Sequence, residues 1–397
     1  MSLKGLNIPA FAVIILYPIL LSLLTVMYCS KFSVGAYEIT LLIVTYYICN
    51  ISVGVGLHRL WSHGSYKTKK WVEFLLSVLS AATLQGPILA WVSDHTEHHM
   101  YTDTKKDPHS AKKFKNRLVG FMWSHMGWML QMDSGKKLSR IAIARLGRNS
   151  VVMWQFRNYW KIAITMNTLV PFLLGYIARG NLQYAISSFL FFGLGRALQQ
   201  QATFCVNSIV HCDIGTNKYY YGSARDIWWM FFLLLGENWH NFHHAFANDY
   251  RNGHKWYHAD VHKWIIGLMA KIGLATELVV TSELRIQAMS KIVIGRFNRD
   301  KNIKIKVAFI EKATRRIQLS AIEKLKTAEK LAHDLRDKLS NVSNNSTYIL
   351  NYVENLKLSV STIEENFVLE LYNSYESLRK SALKLNISAE NCLRSIA

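Results

Sequence analysis

Two long apolar runs near the N-terminus constrain this chain more than any other feature. They span residues 8–29 and 36–57, with six residues between them. About 20 consecutive apolar residues are enough for a helix to cross a bilayer. The first run is longer than the apolar core of a signal peptide, and no small-residue cleavage site follows it. We therefore predict a helical membrane hairpin, with buried helices of a soluble protein as the alternative.

A second hairpin is predicted from apolar runs at 162–177 and 184–210, which a short turn joins. Residues 74–92 are also apolar, but Gln85, Gly86 and Pro87 interrupt them, so a shallow or re-entrant helix is expected there. Residues 227–236 are too few to cross a bilayer. The expected fold class is an all-α membrane protein with four transmembrane helices, a cytosolic helical cap and a C-terminal helical extension.

The charge of the chain is unusual for such an apolar protein. Lys and Arg number 47 against 26 Asp and Glu, a net charge of +21. Residues 58–157, between the hairpins, are rich in Lys and Arg, which predicts that they are cytoplasmic. Four spans then place both termini on that same side. The positive charge can face anionic headgroups, so no nucleic-acid partner is expected.

Histidines, rather than cysteines, are the candidate metal ligands of this chain. The five cysteines form no C-x-x-C pair, which argues against a disulfide framework and a Cys-type zinc site. Of fifteen histidines, nine lie in three clusters and one single position at predicted membrane boundaries: His58, His63, His95, His98, His99, His211, His240, His243 and His244. Positions i, i+3 and i+4 share one helix face. A structural zinc site needs four ligands, so nine imidazoles predict two transition-metal ions.

Chance placement on amphipathic helices is the alternative for any one cluster, but it fits poorly for all of them together. The other six histidines are expected to be solvent-facing or hydrogen-bonded; they are His109, His125, His254, His258, His262 and His333.

The text around these histidines resembles a known family, the membrane-bound acyl-CoA desaturases of the stearoyl-CoA or delta-9 type. The resemblance covers roughly residues 8–280. Its motifs are GLHRLWSH at 56–63, DHTEHH at 94–99, TDTKKDPH at 102–109, NSIVH at 207–211, SARD at 223–226, GENWHNFHH at 236–244 and DYRNG at 249–253.

The resemblance implies a di-iron centre in the cytosolic cap, with all nine histidines as ligands and Asn207 reaching a metal through water. It implies an O₂-dependent enzyme that introduces a cis double bond, at delta-9, into a saturated acyl chain. Oxidising an unactivated methylene pair is metal chemistry, for which the protein supplies geometry and ligand tuning. Carboxylates beside the motifs are candidate partners of the imidazoles, with solvated loop residues as the alternative: Asp94, Asp103, Asp107, Asp226 and Glu237.

Substrate contacts are predicted at Gly54, Gly56 and Trp91, where an acyl chain would approach the backbone; glycines that only pack helices are the alternative. Many animal relatives carry arginines where this chain has Ser93 and Thr96. Those arginines would contact the phosphates of a CoA carrier. The acyl carrier therefore stays open between CoA, a lipid and a carrier protein.

Two other functions remain open. One is a di-iron hydroxylase, or a desaturase of other regiochemistry, using the same histidines. The other is a catalytically silent membrane scaffold, against which the intact motifs argue.

We place a domain boundary at 284/285, where the composition shifts to Lys, Glu, Asn and Ser. A coiled-coil-like stripe follows, a polar break at 341–347 interrupts it, and a second amphipathic stretch covers 348–385. The stripe comprises Ala321, Leu325, Ala328, Ala332, Leu335 and Leu339. The extension is expected to pack on the body or on itself, with self-association or partner binding as the alternative. It carries no His-Pro-Gly-Gly haem motif, so electrons would come from a separate ferredoxin or cytochrome b5. A bacterial inner membrane is the expected location, with the endoplasmic reticulum as the alternative.

Overall fold

The structure, a computed structural model, describes residues 5–131 and 138–340. The chain divides into two compact units, Met1–Lys301 and Asn302–Ala397. The predicted break at 341–347 and the second amphipathic stretch at 348–385 lie outside the described residues. Within the described part the protein is mostly helical.

The helices of the described part are numbered in chain order. They are α1 (Ile8–Cys29), α2 (Ala36–Ser62), α3 (Lys70–Ala82), α4 (Ile88–Tyr101), α5 (Arg117–Met122), α6 (Arg140–Leu146), α7 (Ser150–Asn167), α8 (Leu169–Arg179), α9 (Leu182–Asn207), α10 (Phe231–Leu234), α11 (His240–Ala245), α12 (Val261–Lys271) and α13 (Glu283–Ser340). Shorter helical turns are the π-helical Trp123–Gly127, the α-helical Trp128–Leu130, and the 3₁₀ turns Ala111–Lys113, Ile209–His211 and Trp228–Met230. Strands β1 (Lys67–Thr68) and β2 (Ala275–Thr276) pair antiparallel.

Three helical stretches of the described residues are long and apolar enough to cross a membrane: α1, α2 and the α7–α8 run from Ser150 to Arg179. This indicates an integral membrane protein. The predicted fourth span corresponds to α9, which packs along α2 and α8. Its hydropathy is lowered by Arg196, Gln199 and Gln200, and all three are buried. Mean hydropathy counts a polar residue in the same way whether it faces lipid or protein. For this reason α9 is not among the three candidate membrane helices.

The apolar stretch at 74–92, where a shallow or re-entrant helix is expected, is not one continuous helix. It belongs to two helices, α3 and α4, with a turn at 83–87 between them. Leu84 and Gly86 have positive φ angles of 55° and 96°, which a continuous helix does not allow. The side chains of Tyr159 and Gln155 on α7 accept hydrogen bonds from the turn at Gly86 N (2.9 Å) and Ile88 N (3.1 Å).

The beginning of α13 packs on the first unit rather than leaving it. Ile286 and Val293 are 3% and 2% exposed, and Ile286 packs in a cluster with Tyr219 and Phe242. The first compact unit extends past residue 284 to Lys301. The domain boundary at 284/285 stays a prediction. Composition marks the beginning of the helix, whereas packing decides where the unit ends.

Candidate metal centre

Four elements bring all nine clustered histidines together. The end of α2 carries His58 and His63, α4 carries three, the turn after α9 carries His211, and α11 carries three. His58 and His63 are five residues apart, a spacing that an α-helix would put on different faces. The end of α2 is π-helical over Ser52–Ser62, and His63 N donates to His58 O at 3.1 Å. This wider turn places the two rings 4.8 Å apart.

The nine side chains separate into two groups, and in each the candidate ligand atoms lie within 4.8 Å of one another. Group 1 is His58, His63, His95, His99 and His243, and group 2 is His98, His211, His240 and His244. Adjacent histidines go to different groups: His98 and His99 separate, as do His243 and His244. The two groups are therefore side by side, joined by α4 and α11.

The distances between the ring nitrogens show whether a metal ion fits between them. Neighbouring Nε2 atoms within each group lie 2.8–3.3 Å apart. Ligands at about 2.1 Å from a metal and about 90° apart would be about 3.0 Å from each other. His243 Nε2 faces two other nitrogens, His58 and His99, each at 3.0 Å. One N–H cannot satisfy both neighbours, whereas a shared cation would, so the residues fit a metal site.

Burial keeps these imidazoles in the form that binds metal. Burial is the largest cause that lowers the pKa of seven of them well below the ordinary value, and mutual repulsion between rings adds to it; they are His63, His95, His99, His211, His240, His243 and His244. A neutral imidazole offers a lone pair to a cation. Metal ligation by the nine histidines stays a prediction that this geometry supports.

Among the five candidate carboxylates, Glu237 and Asp107 contact an imidazole directly. Glu237 Oε2 lies 2.7 Å from His58 Nδ1, and Asp107 Oδ1 lies 3.1 Å from His98 Nδ1. Such acceptors fix the tautomer so that Nε2 faces a metal. Burial opposes ionisation of Glu237, but His58, Arg59 and a hydrogen bond from His262 hold its pKa well below the ordinary value.

Asp226 and Asp103 accept hydrogen bonds from backbone N–H groups. Asp226 Oδ1 accepts hydrogen bonds from the backbone N–H groups of Asn241 (2.7 Å) and Phe242 (3.2 Å), at the beginning of α11. It therefore supports the helix that carries three histidines. Asp103 Oδ2 accepts from Ser223 N at 2.8 Å, and Ser223 Oγ lies 2.7 Å from His211 Nδ1. Asp94 lies on α4 beside His95.

A buried charge network beside group 1 carries no recognisable sequence signal. Arg59 donates to Glu237 Oε1 (3.1 Å) and to both oxygens of Asp260 (2.9 and 3.2 Å). His262 Nδ1 lies 3.0 Å from Glu237 Oε1, and Asn252 Nδ2 donates to Glu237 Oε2 at 2.7 Å. His262 is fully buried and His109 stacks on His98 at 4.1 Å, so neither faces solvent.

A small cavity of about 40 Å³ borders both groups. Its lining comprises Asn50, Val53, Gly54, His58, Trp91, His95, His98, Thr203, Val206, Asn207, Leu234, Glu237 and His240. This volume is enough for at least one water molecule. Asn207, predicted to reach a metal through water, is therefore at a suitable place beside the histidines.

The predicted substrate residues have close protein neighbours. A Cβ on Gly54 would lie 2.1 Å from the His262 ring, and one on Gly56 would lie 3.0 Å from Trp61. Both glycines thus allow close packing of protein groups, and Gly54 also lines the cavity. Substrate contact at these positions stays a prediction. Trp91 stacks on His95 with centroids 4.9 Å apart and forms part of the cavity wall.

Three candidate membrane helices and a cysteine-free cluster of nine histidines together characterise a helical membrane protein whose histidines could hold metal ions. The sequence model described as "Fatty acid desaturase" matches residues 37–276. The chain belongs to the fatty acid desaturase family.

Curated relatives agree with this assignment. The chain is 37% identical over 247 residues to "Probable acyl-CoA desaturase" of Schizosaccharomyces pombe, covering 62% of this chain and 50% of that protein. It is 36% identical over 248 residues to "Acyl-CoA desaturase 1" of Saccharomyces cerevisiae, covering 61% and 46%. It is 32% identical over 251 residues to "Delta-9 acyl-lipid desaturase 2" of Arabidopsis thaliana, covering 62% and 76%. The chain spans about half the length of the two yeast relatives.

Proposed function

We propose that this protein is an O₂-dependent fatty acyl desaturase that introduces a cis double bond at delta-9 into a saturated acyl chain. The observation that carries the proposal is the division of nine buried or half-buried histidines into groups of five and four, side by side. Two iron ions held there would supply the oxidation of unactivated C–H bonds by O₂, which no side chain performs. Water would be the second product.

The residues of the chain hold and orient this centre. Glu237, Asp107 and Ser223 lie at Nδ1 of His58, His98 and His211, so that each Nε2 faces the neighbouring ligands. Trp91 and the apolar residues of the cavity wall exclude bulk water from the space beside them. Asn207 lines the same space and would contribute through a water molecule.

The relatives narrow the acyl carrier of the substrate to two candidates, CoA and a lipid. Their printed names include acyl-CoA and acyl-lipid desaturases. Ser93 is buried and its Oγ accepts a hydrogen bond from Ser139 N, so this position does not present a phosphate-binding group. We propose an acyl lipid or acyl thioester as substrate, with electrons from a separate ferredoxin or cytochrome b5.

The catalytic cap and both termini are proposed to be cytosolic. The reported relatives come from two yeasts and a plant, which gives the predicted bacterial inner membrane no support over the endoplasmic reticulum.

Expression in a host that lacks its own delta-9 activity tests the proposal. Gas chromatography of fatty acid methyl esters should show new monounsaturated esters with the double bond at carbon 9. His98→Ala should abolish them while the protein stays inserted in the membrane, and exposed His333→Ala, the matched control, should keep them. Hydroxylated esters would instead show a hydroxylase. A purified protein holding fewer than about one iron per chain after full reconstitution would favour the scaffold.

A further inference from the structure

The segment 253–258 follows α11 and places its aromatic side chains behind the histidine-bearing helix. Its His258 ring stacks flat on Trp239, with centroids 3.9 Å apart and an interplanar angle of 10°. Trp239 directly precedes His240, a member of group 2. Tyr257 follows outward at 5.0 Å from His258, and Trp256 at 5.6 Å from Tyr257. A continuous series of rings therefore runs from the surface to the residue beside a candidate ligand.

The stack is held in place by its surroundings. A Cβ on Gly253 would lie 2.8 Å from His258 Cβ and 2.9 Å from Trp239 Cδ1, so only glycine lets the two rings approach. The Lys263 ammonium donates to the carbonyl oxygens of Gly253 (2.6 Å), Lys255 (3.0 Å) and His258 (3.2 Å). Trp239 Nε1 also donates to Ala259 O at 2.9 Å.

The outer end of this rigid segment is unusually open. Trp256 is 88% exposed and Tyr257 is 64% exposed. Rigid exposed aromatics commonly anchor protein partners. Three lysines lie near this segment: after burial, the ammonium groups of Lys263 and Lys255 are the main causes that lower the pKa of His258 to about 4, Asp260 opposes them, and Lys218 contributes. The exposed Lys255 pairs with Glu283 at 3.1 Å, so it already binds a carboxylate at this surface. A partner at this surface would complement it with acidic side chains.

We propose that Trp256, Tyr257 and Lys255 form the docking surface for an acidic one-electron carrier protein, and that the His258–Trp239 stack is its electron entry to the metal centre. This rests on the proposed desaturase function. In each transfer the carrier would lose one electron, which metal ions held by the nine histidines would take up. Two such electrons, two protons and the two hydrogens removed from the acyl chain reduce one O₂ to two water molecules.

Binding is the first test. The full-length, iron-loaded protein in zwitterionic nanodiscs is titrated with the soluble haem domain of a cytochrome b5 as the probe. Trp256→Ala should raise the Kd by about tenfold, and added salt should weaken binding to the parent protein. The matched control is Trp228→Ala, which removes a tryptophan that is 69% exposed elsewhere. A Kd for Trp256→Ala within about twofold of the parent would overturn the docking surface.

Electron entry is the second test. Reduced haem domain at saturating concentration is mixed with each variant, and haem reoxidation is followed by stopped-flow absorbance. His258→Ala should leave the Kd unchanged but slow reoxidation, and His258→Phe, which keeps a ring on Trp239, should restore much of the rate. Equal rates for His258→Ala and the parent would refute the route through the stack.

Two controls separate this proposal from its rivals. Quenching of Trp256 fluorescence by brominated lipids would show that the surface inserts into the membrane, which would overturn docking. With a small chemical reductant in place of the haem domain, every variant should form product at the parent's rate. If the parent forms no unsaturated product with either reductant, the proposed function fails, whatever the binding data show.

Discussion

In both histidine groups the Nε2 atoms face one another, but the residues that contact the Nδ1 atoms differ between the groups. In group 1, Glu237 ties His58 to a buried network of Arg59 and Asp260 that links α2 with the beginning of α12. In group 2, Asp107, on the loop after α4, reaches His98, and a serine hydroxyl reaches His211. His58 of group 1 is therefore tied to the charged core of the fold, whereas His98 and His211 of group 2 are each contacted from a loop.

This difference predicts how each group fails. Removing a charge from the group 1 network should cost stability and metal together, because a buried ion pair loses one partner. Removing a partner in group 2 should lower metal affinity and leave the fold largely intact.

The largest expected effect is the loss of folding stability of the iron-free protein as the pH falls. The seven histidines with depressed pKa stay neutral when folded, but in the unfolded chain they bind protons below about pH 6.5. Stability is therefore present above that pH and lost as the pH falls below it, by about 1.4 kcal/mol per pH unit for each such histidine. Thermal unfolding of iron-free protein should show a steep fall in Tm between about pH 7 and 5.5. His95→Gln should reduce the slope, and a flat profile would contradict neutral burial.

Next in size is Glu237→Gln, which removes the negative charge facing Arg59 and the carboxylate at His58. We expect about 3 kcal/mol of lost unfolding free energy. We also expect loss of about one of the two irons, measured by mass spectrometry of the metal content. Glu277→Gln is the matched control, because Glu277 is exposed and pairs only at the surface, with Lys67 at 2.8 Å. Full iron content with unchanged stability would show that group 1 does not depend on this network.

The nine histidines were predictable because their i, i+3 and i+4 spacing and their places at membrane boundaries are visible in the sequence. Their division was not. His98 and His99 are neighbours in the chain but belong to different groups, because a helix turns by about 100° between successive residues. The five-residue spacing of His58 and His63 becomes meaningful only in the π-helical turn.

The supporting residues were harder to predict. Five carboxylates near the motifs were equal candidates, and only the fold shows that Glu237 and Asp107 contact rings while Asp226 caps α11. His262 lies 25 residues after Glu237 and contacts it through the packing of α12, for which one sequence holds no signal. By contrast, the apolar run at 184–210 already predicted a helix, and the structure has α9 at Leu182–Asn207.

Asp107→Asn tests the support of group 2. The amide keeps the shape but loses the charge at His98 Nδ1, so we expect iron affinity in group 2 to fall by about 10–100-fold, with stability nearly unchanged. Competition with a chelator of known affinity measures this. Asp213→Asn is the control, since Asp213 is exposed and pairs with Arg225 at 3.0 Å. A loss of stability as large as that of Glu237→Gln would remove the distinction between the groups.

The smallest effect is expected for Ser223→Ala. Its hydroxyl is 2.7 Å from His211 Nδ1, and its backbone N–H, which this substitution keeps, is bonded to Asp103. Loss of one neutral hydrogen bond is worth about 1 kcal/mol, so iron affinity in group 2 should fall by less than about tenfold. Chelator competition should show a lower iron affinity for Asp107→Asn than for Ser223→Ala. Ser223→Thr should restore the iron affinity of the parent protein. An effect of Ser223→Ala equal to that of Asp107→Asn would mean that ring orientation, rather than charge, decides metal affinity in group 2.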